Sequence, residues 1–303
     1  MMKTINRLVL VLLFSIRIFL SNAHELVDYV NPMIGATTLD NIGNTDLGLG
    51  KTFPGVCTPF GLVQLSPDTK TGGDNGSGYS YHHTTIEGFS FTHMSGIGWY
   101  GDLGNFLVMP TTGKLHTFKG TEENPDEGYE TESAHIDKYE VKLDDYDIKV
   151  ELTAAPRSGM IRFTYPEHEE SRIQIDLARR IGGTSTEQFV EVVDNHIIRG
   201  WMKCMPENGG WGNGAGQANY TIYFYCLFSR PLVDFGIWSA DIPEGTSRKN
   251  ESNDDENYYQ YVRNAVIHPQ AKVMQGKHLG FYTQFPTRKD EQVLMKCGIS
   301  FVS

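Results

Sequence analysis

Apolar and polar residues alternate with a period of two over several stretches of the chain. Val141 and Leu143 lead through Asp144-Asp145, which reads as a turn, to Ile148, Val150 and Leu152. Ile161, Phe163 and Tyr165 repeat the pattern over 160–165, and Ile173, Ile175 and Leu177 over 172–177. Residues 220–229 are rich in aromatic and β-branched side chains, and 279–285 and 292–302 close the series. Such alternation puts one face of a strand in a core and the other in water. A shorter apolar run, Phe60–Leu65, predicts a strand ended by Ser66-Pro67-Asp68. Few windows carry a helical period. Residues 255–265 are polar and predict a short helix at most, and 244–257 read as a solvated surface loop. Many strands and few helices predict an all-β fold, a large antiparallel β-sandwich with long glycine- and aromatic-rich loops.

Two glycine-rich regions break the pattern. The first, 35–104, lacks regular periodicity and is full of Gly, Thr, Asp, His and aromatic residues. A loop of that length in a folded domain is functional or disordered, and its aromatics argue for the former. The second is Asn208-Gly209-Gly210-Trp211-Gly212-Asn213-Gly214, which reads as a hairpin tip or as a loop touching a ligand.

Composition narrows the function. A 39% hydrophobic and 21% charged chain of 303 residues is a folded protein with a sizeable core. The net charge of −11 repels phosphate backbones, which argues against nucleic acid and anionic membranes as partners. Lys3 and Arg7, an apolar run from Leu8 to Leu20 and then Ser21-Asn22-Ala23 have the order of a secretory signal over 1–23. The run is short and interrupted by Arg17, so it does not predict a membrane span. The mature β-sandwich domain is expected to cover 24–303 and to be exported, periplasmic or extracellular. Cys57, Cys204, Cys226 and Cys297 are scattered, and the expectation is buried free thiols, with one disulfide as the alternative.

Candidate chemistry concentrates in His93-Met94-Ser95-Gly96-Ile97-Gly98-Trp99-Tyr100-Gly101-Asp102-Leu103-Gly104. Trp99 offers a flat face with one donor, and Asp102 two acceptor oxygens for adjacent sugar hydroxyls. A stacking platform beside a charge-assisted acceptor suits a neutral polyol. The other reading is a glycine-rich corner that packs Trp99. No strand-then-helix context surrounds these glycines, so a dinucleotide loop is excluded. His82 and His83 are neighbours that point to opposite sides of an extended chain, and a metal site built from them and His93 is not expected. The acidic pairs Glu122-Glu123, Asp144-Asp145 and Asp254-Asp255 read as solvated turns, and Asp74-Asn75 as a turn cap. A glycosidase needs two opposed carboxyl groups, and these pairs do not supply them.

Several motifs, in order, carry a resemblance. They are Val27-Asp28-Tyr29-Val30-Asn31-Pro32-Met33-Ile34-Gly35, Thr52-Phe53-Pro54-Gly55, and Pro59-Phe60-Gly61-Leu62-Val63-Gln64-Leu65-Ser66-Pro67-Asp68. Gly88-Phe89-Ser90-Phe91-Thr92-His93-Met94-Ser95-Gly96, Gly101-Asp102 and Glu151-Leu152-Thr153-Ala154 with Arg157 follow. Together they resemble the amino-terminal domain of glycoside hydrolase family 92, the calcium-dependent exo-acting α-mannosidases. The resemblance implies a β-sandwich followed by an (α/α)6 helical barrel, with the active site between them. It places the acid and base carboxylates and most of the calcium site in the barrel, which these residues do not include. The sandwich is implied to lend loop residues to a terminal-mannose pocket: Trp99 and Asp102, with His93, Phe60 and Gly61 beside them. No catalytic or metal-binding residue is assigned here. The family has a longer stretch after the residue matching His135, whereas His135-Ile136-Asp137-Lys138-Tyr139 runs straight into the next strand. The expected function is thus a non-catalytic module of a secreted α-mannosidase acting on mannose-containing glycans. The alternative is a stand-alone or degenerate carbohydrate-binding protein.

Overall fold

The computed structural model describes residues 29–36, 52–69, 77–81, 83, 85–95, 103–117, 129–134, 138–181, 183–205, 219–243 and 260–303. The signal segment, the second glycine-rich segment and residues 96–102 lie outside them. The chain divides into two units, 1–31 and 32–303; of the first, only 29–31 are described, and the second contains every strand.

In chain order the strands are β1 (Val56–Cys57), β2 (Gln64–Thr69), β3 (Ile86–Ser90), β4 (Leu107–Thr112), β5 (Tyr129–Ala134), β6 (Tyr139–Leu143) and β7 (Ile148–Ala155). There follow β8 (Ser158–Tyr165), β9 (His168–Asp176), β10 (Arg179–Arg180), β11 (Gly183–Thr184), β12 (Glu187–Val192) and β13 (Ile197–Cys204). The last are β14 (Tyr220–Phe228), β15 (Asp234–Ser239), β16 (Val266–Pro269), β17 (Val273–Gly276), β18 (Leu279–Thr287) and β19 (Glu291–Ser300). One sheet has the order β1-β2-β3-β4-β9-β18-β15-β16, the other β17-β12-β13-β14-β19-β8-β7-β6-β5, and β10-β11 form a small separate ribbon. Helical structure among the described residues is a single turn at 260–263, inside the polar stretch that predicts a short helix. The expected antiparallel sandwich is the fold.

The alternating segments form strands because each buries one side. In β8, Ile161, Phe163 and Tyr165 are buried between more exposed neighbours, and in β14 Ile222, Phe224, Cys226 and Phe228 do the same. Their rings meet the facing sheet. Phe224 of β14 lies 4.8 Å from Phe106 beside β4, and Tyr165 of β8 lies 5.6 Å from Phe285 of β18. Each such ring contributes roughly 1.5–3 kcal/mol on leaving water. Asp144-Asp145 make the expected turn, with the Asp147 N–H bonded to the Asp144 carbonyl at 3.2 Å. In the first sheet Trp238 sits opposite Gly280, and a Cβ at Gly280 would fall 1.8 Å from the indole, so only glycine fits there.

Three expectations need correction. Region 35–104 is not one long loop, because it holds β1, β2 and β3. The strand expected over Phe60–Leu65 starts at Gln64 and runs through Ser66-Pro67-Asp68 to Thr69. These strands hide from a periodicity search because every residue of β3, and Leu65–Thr69 of β2, is buried, so no polar face alternates with the apolar one. The thiols also differ from expectation. Cys226 and Cys297 sit directly opposite each other on β14 and β19, with Cα atoms 4.1 Å apart, and are joined as a disulfide. Cys57 lies outside the bridge and is exposed, and Cys204, also outside the bridge, is buried.

Candidate functional site

The first candidate side chains stand on a tight turn before β2. Thr58-Pro59-Phe60-Gly61 closes with the Gly61 N–H on the Thr58 carbonyl at 2.8 Å. Proline at the second position and a positive φ at the third define a type II turn. The third position normally takes glycine, yet here Phe60 holds φ 58° and projects its ring fully into solvent. Gly61 is fixed by space, since a Cβ would meet Thr58 Oγ1 at 2.4 Å. A bulky residue in the left-handed region costs about 1–2 kcal/mol. Phe60→Gly is therefore expected to raise the unfolding free energy by about 1 kcal/mol, because no packing is lost with the ring; urea denaturation checks it.

The second group is a stem, the described residues on either side of 96–102. The Gly104 N–H donates to the Thr92 carbonyl at 2.7 Å and the Phe91 N–H to the Asn105 carbonyl at 3.0 Å. The Thr92 hydroxyl donates to Asn105 Oδ1 at 2.8 Å and accepts from the Asn105 N–H at 3.0 Å. Thr92 and Asn105 are buried, so both ends of the segment are clamped at one place on the sandwich. Trp99 and Asp102, at 96–102, lie outside the described residues.

His93, at the base of this stem, is enclosed. Its Nδ1 lies 2.8 Å from the Gln64 carbonyl and its Nε2 2.8 Å from Asp68 Oδ1, with the Phe53 ring 5.3 Å away. Arg179 completes a buried network, with NH1 3.0 Å from Asp68 Oδ2 and NH2 2.6 Å from Glu87 Oε2. Burial pushes the Asp68 carboxyl up, but the His93 and Arg179 charges and hydrogen bonds from His93 and Ser90 outweigh it and hold the group below its usual range. The imidazole thus has no face to offer a ligand directly; what it does is fix the stem against β2. Sequence reasoning missed Glu87 and Arg179, and took Asp68 only as the end of a motif. The detectable signal was Arg179-Arg180 directly after the alternating strand segment 173–177 and Ala178, where a buried charge needs a partner.

His83 is engaged elsewhere, its Nδ1 2.9 Å from the Thr69 hydroxyl. Among the described residues no three His, Cys, Asp or Glu side chains are placed to hold a metal ion. Calcium enters no step argued for these residues. No helix among them is long and apolar enough to cross a membrane.

The fold is a β-sandwich in which buried hydrogen bonds hold Thr92 and Asn105 together. The profile of the "Glycosyl hydrolase family 92 N-terminal domain" matches residues 29–300, and the chain belongs to that family. A family 92 α-mannosidase from Bacteroides thetaiotaomicron superposes with a TM-score of 0.71 at 32% identity, over 93% of this chain and 34% of that one. The same enzyme in complex with mannoimidazole gives 0.70 at 32% identity, over 92% and 33%. An "Uncharacterized secreted glycosidase" of Arthroderma benhamiae is 27% identical over 124 residues, 39% of this chain and 16% of that protein. The chain spans about a third of the length of the mannosidases it superposes on.

Proposed function

We propose that this chain is the non-catalytic β-sandwich module of a secreted α-mannosidase acting on mannose-containing glycans. It lends loop residues to a pocket completed by a helical domain outside these 303 residues, on the same polypeptide or on another. The observation that supports this most is the hydrogen-bonded pair Thr92–Asn105, which flanks the stretch of sequence carrying Trp99 and Asp102 within a family 92 fold. Precise placement of groups around a substrate is what such a frame provides. In this reading Trp99 stacks on the terminal mannose and Asp102 accepts from its hydroxyls. Phe60 and Gly61 shape the rim, and His93 holds the stem. The general acid that protonates the leaving oxygen, and the base that activates water on the opposite face, belong to the helical domain, as does the calcium the family resemblance implies.

Residues 24–303, purified alone, are expected to show no turnover of aryl α-mannosides. Turnover that appears only on adding the helical domain, and falls at least tenfold with Trp99→Ala, supports the reading. Turnover by the isolated module contradicts it. The second reading, a carbohydrate-binding protein without enzymatic role, is separated by calorimetry with mannobiose: binding that needs no helical domain and is lost with Trp99→Ala favours it.

A further inference from the structure

The outer face of the second sheet is divided in two. Over β6–β8 it is charged: Glu151 and Arg162 are paired across strands at 2.6 Å, and Lys149 and Lys138 both reach Glu140, at 3.2 and 2.7 Å. This is how an exposed sheet face is ordinarily kept soluble. Over β12–β14 and β19 the same face is aromatic. Register places Phe189, Trp201 and Tyr223 in one row across three strands, ending at Ser300, and Arg199, Tyr225 and Gly298 in the next. Phe189 and Trp201 stack with centroids 6.0 Å apart and planes 18° from parallel, and Tyr225 is half exposed. Together these rows line a groove of about 470 Å³.

The groove has the parts of a sugar site. Phe189, Trp201, Tyr223 and Tyr225 line it together with Ser300, and Arg157 and Arg199 are among its lining residues. Arg199 is occupied by Glu191 at 2.7 Å, whereas among the described residues no carboxylate pairs with the Arg157 guanidinium. An unpaired guanidinium beside stacked rings offers a planar fork of donors to adjacent hydroxyls while the rings take the apolar face of a pyranose. The volume suits one or two sugar rings and is too small for a packed helix. Gly298 keeps the groove open: a Cβ there would touch nothing closer than 3.7 Å, so packing does not demand glycine at this position.

We propose that this groove is a second carbohydrate site, which takes a mannoside on Trp201, Tyr223 and Tyr225 with Arg157 as hydrogen-bond donor. It lies on a sheet face rather than on the Trp99–Asp102 loop. The choice of mannose as the sugar rests on the functional reading above; the existence of the site does not.

The test is affinity electrophoresis of the full chain through native gels containing soluble α-mannan. Retardation is expected. It should fall roughly tenfold with Trp201→Ala, which removes a stacked ring, and equally with Gly298→Leu, which fills the groove. Lys149→Ala, on the charged half of the same face, should leave it unchanged. Thermal unfolding of Gly298→Leu near that of the wild type shows that lost binding is not lost folding, and Arg157→Ala provides a variant outside the sheet. Absence of retardation overturns the proposal, as does retardation indifferent to Trp201 and Gly298. Loss with Trp99→Ala alone overturns the groove while supporting the loop reading. Gly298→Leu abolishing self-association in sedimentation, with mannan retardation intact, assigns the groove to a second copy and also overturns it.

Discussion

Replacing Asp68 by Asn lowers the unfolding free energy by about 3–5 kcal/mol, because it leaves Arg179 and His93 facing an uncharged, partly donating group in a closed site. Asp68 is fully buried and its two oxygens are divided between the His93 ring and the Arg179 guanidinium, so no solvent can substitute. Arg179→Met should cost a similar amount, since it strands Asp68 beside Glu87, 3% exposed, without their shared partner. Guanidinium denaturation checks both. The pH dependence has a definite sign. The folded Asp68 carboxyl is held below its ordinary 3.8. The stabilisation is therefore fully present above about pH 4 and is lost as pH falls through the lower, folded value. Asp68→Asn should be less stable at neutral pH and should lose less of its stability on acidification; parallel acid curves for the two proteins would remove this account.

Reducing the Cys226–Cys297 bridge should cost about 4 kcal/mol on a chain-entropy estimate, because it releases a constraint between residues 71 apart in sequence. Both half-cystines lie in the core between the sheets, so Cys226→Ala with Cys297→Ala adds a loss of packed volume to the loss of the bridge. The check is the denaturation midpoint with and without reductant, together with a thiol titration in denaturant. Cys57 and Cys204 should react before reduction and all four cysteines after it. Four reactive thiols in the untreated chain would contradict the bridge.

The legible part of the fold was the part with one wet face. Val141/Leu143, Ile161/Phe163/Tyr165 and Ile173/Ile175 announce strands because water on one side imposes a polar residue at every second position. The strands β2 and β3 have no wet side, and their polar residues, Asp68, Ser90 and Glu87 among them, point to partners inside the protein. Without knowledge of those partners, Ser66-Pro67-Asp68 reads as a turn. The candidate site divides in the same way. Thr92-His93 and Pro59-Phe60-Gly61 were visible as motifs, but a histidine enclosed by a carbonyl and a carboxylate has the same one-letter signature as one that faces a ligand. The disulfide was not legible because Cys226 and Cys297 are neighbours only through the pairing of β14 with β19. The aromatic groove was missed for a related reason. Phe189, Trp201 and Tyr225 come from three separate strands, and each, taken singly, passes as a core residue.

Strand β3 meets β4 at one register pair, Phe89 with Val108, and Pro110, two residues on, brings no N–H to the ladder. On the far side of that pair Glu87 adds a side-chain tie, its carboxylate gripping Arg179 from the small ribbon beyond. Electrostatics here supplements a short backbone ladder. The piece of sheet bearing the Phe60 turn and the stem is thus held partly by buried ions, and acid should loosen it before the strands with full ladders let go.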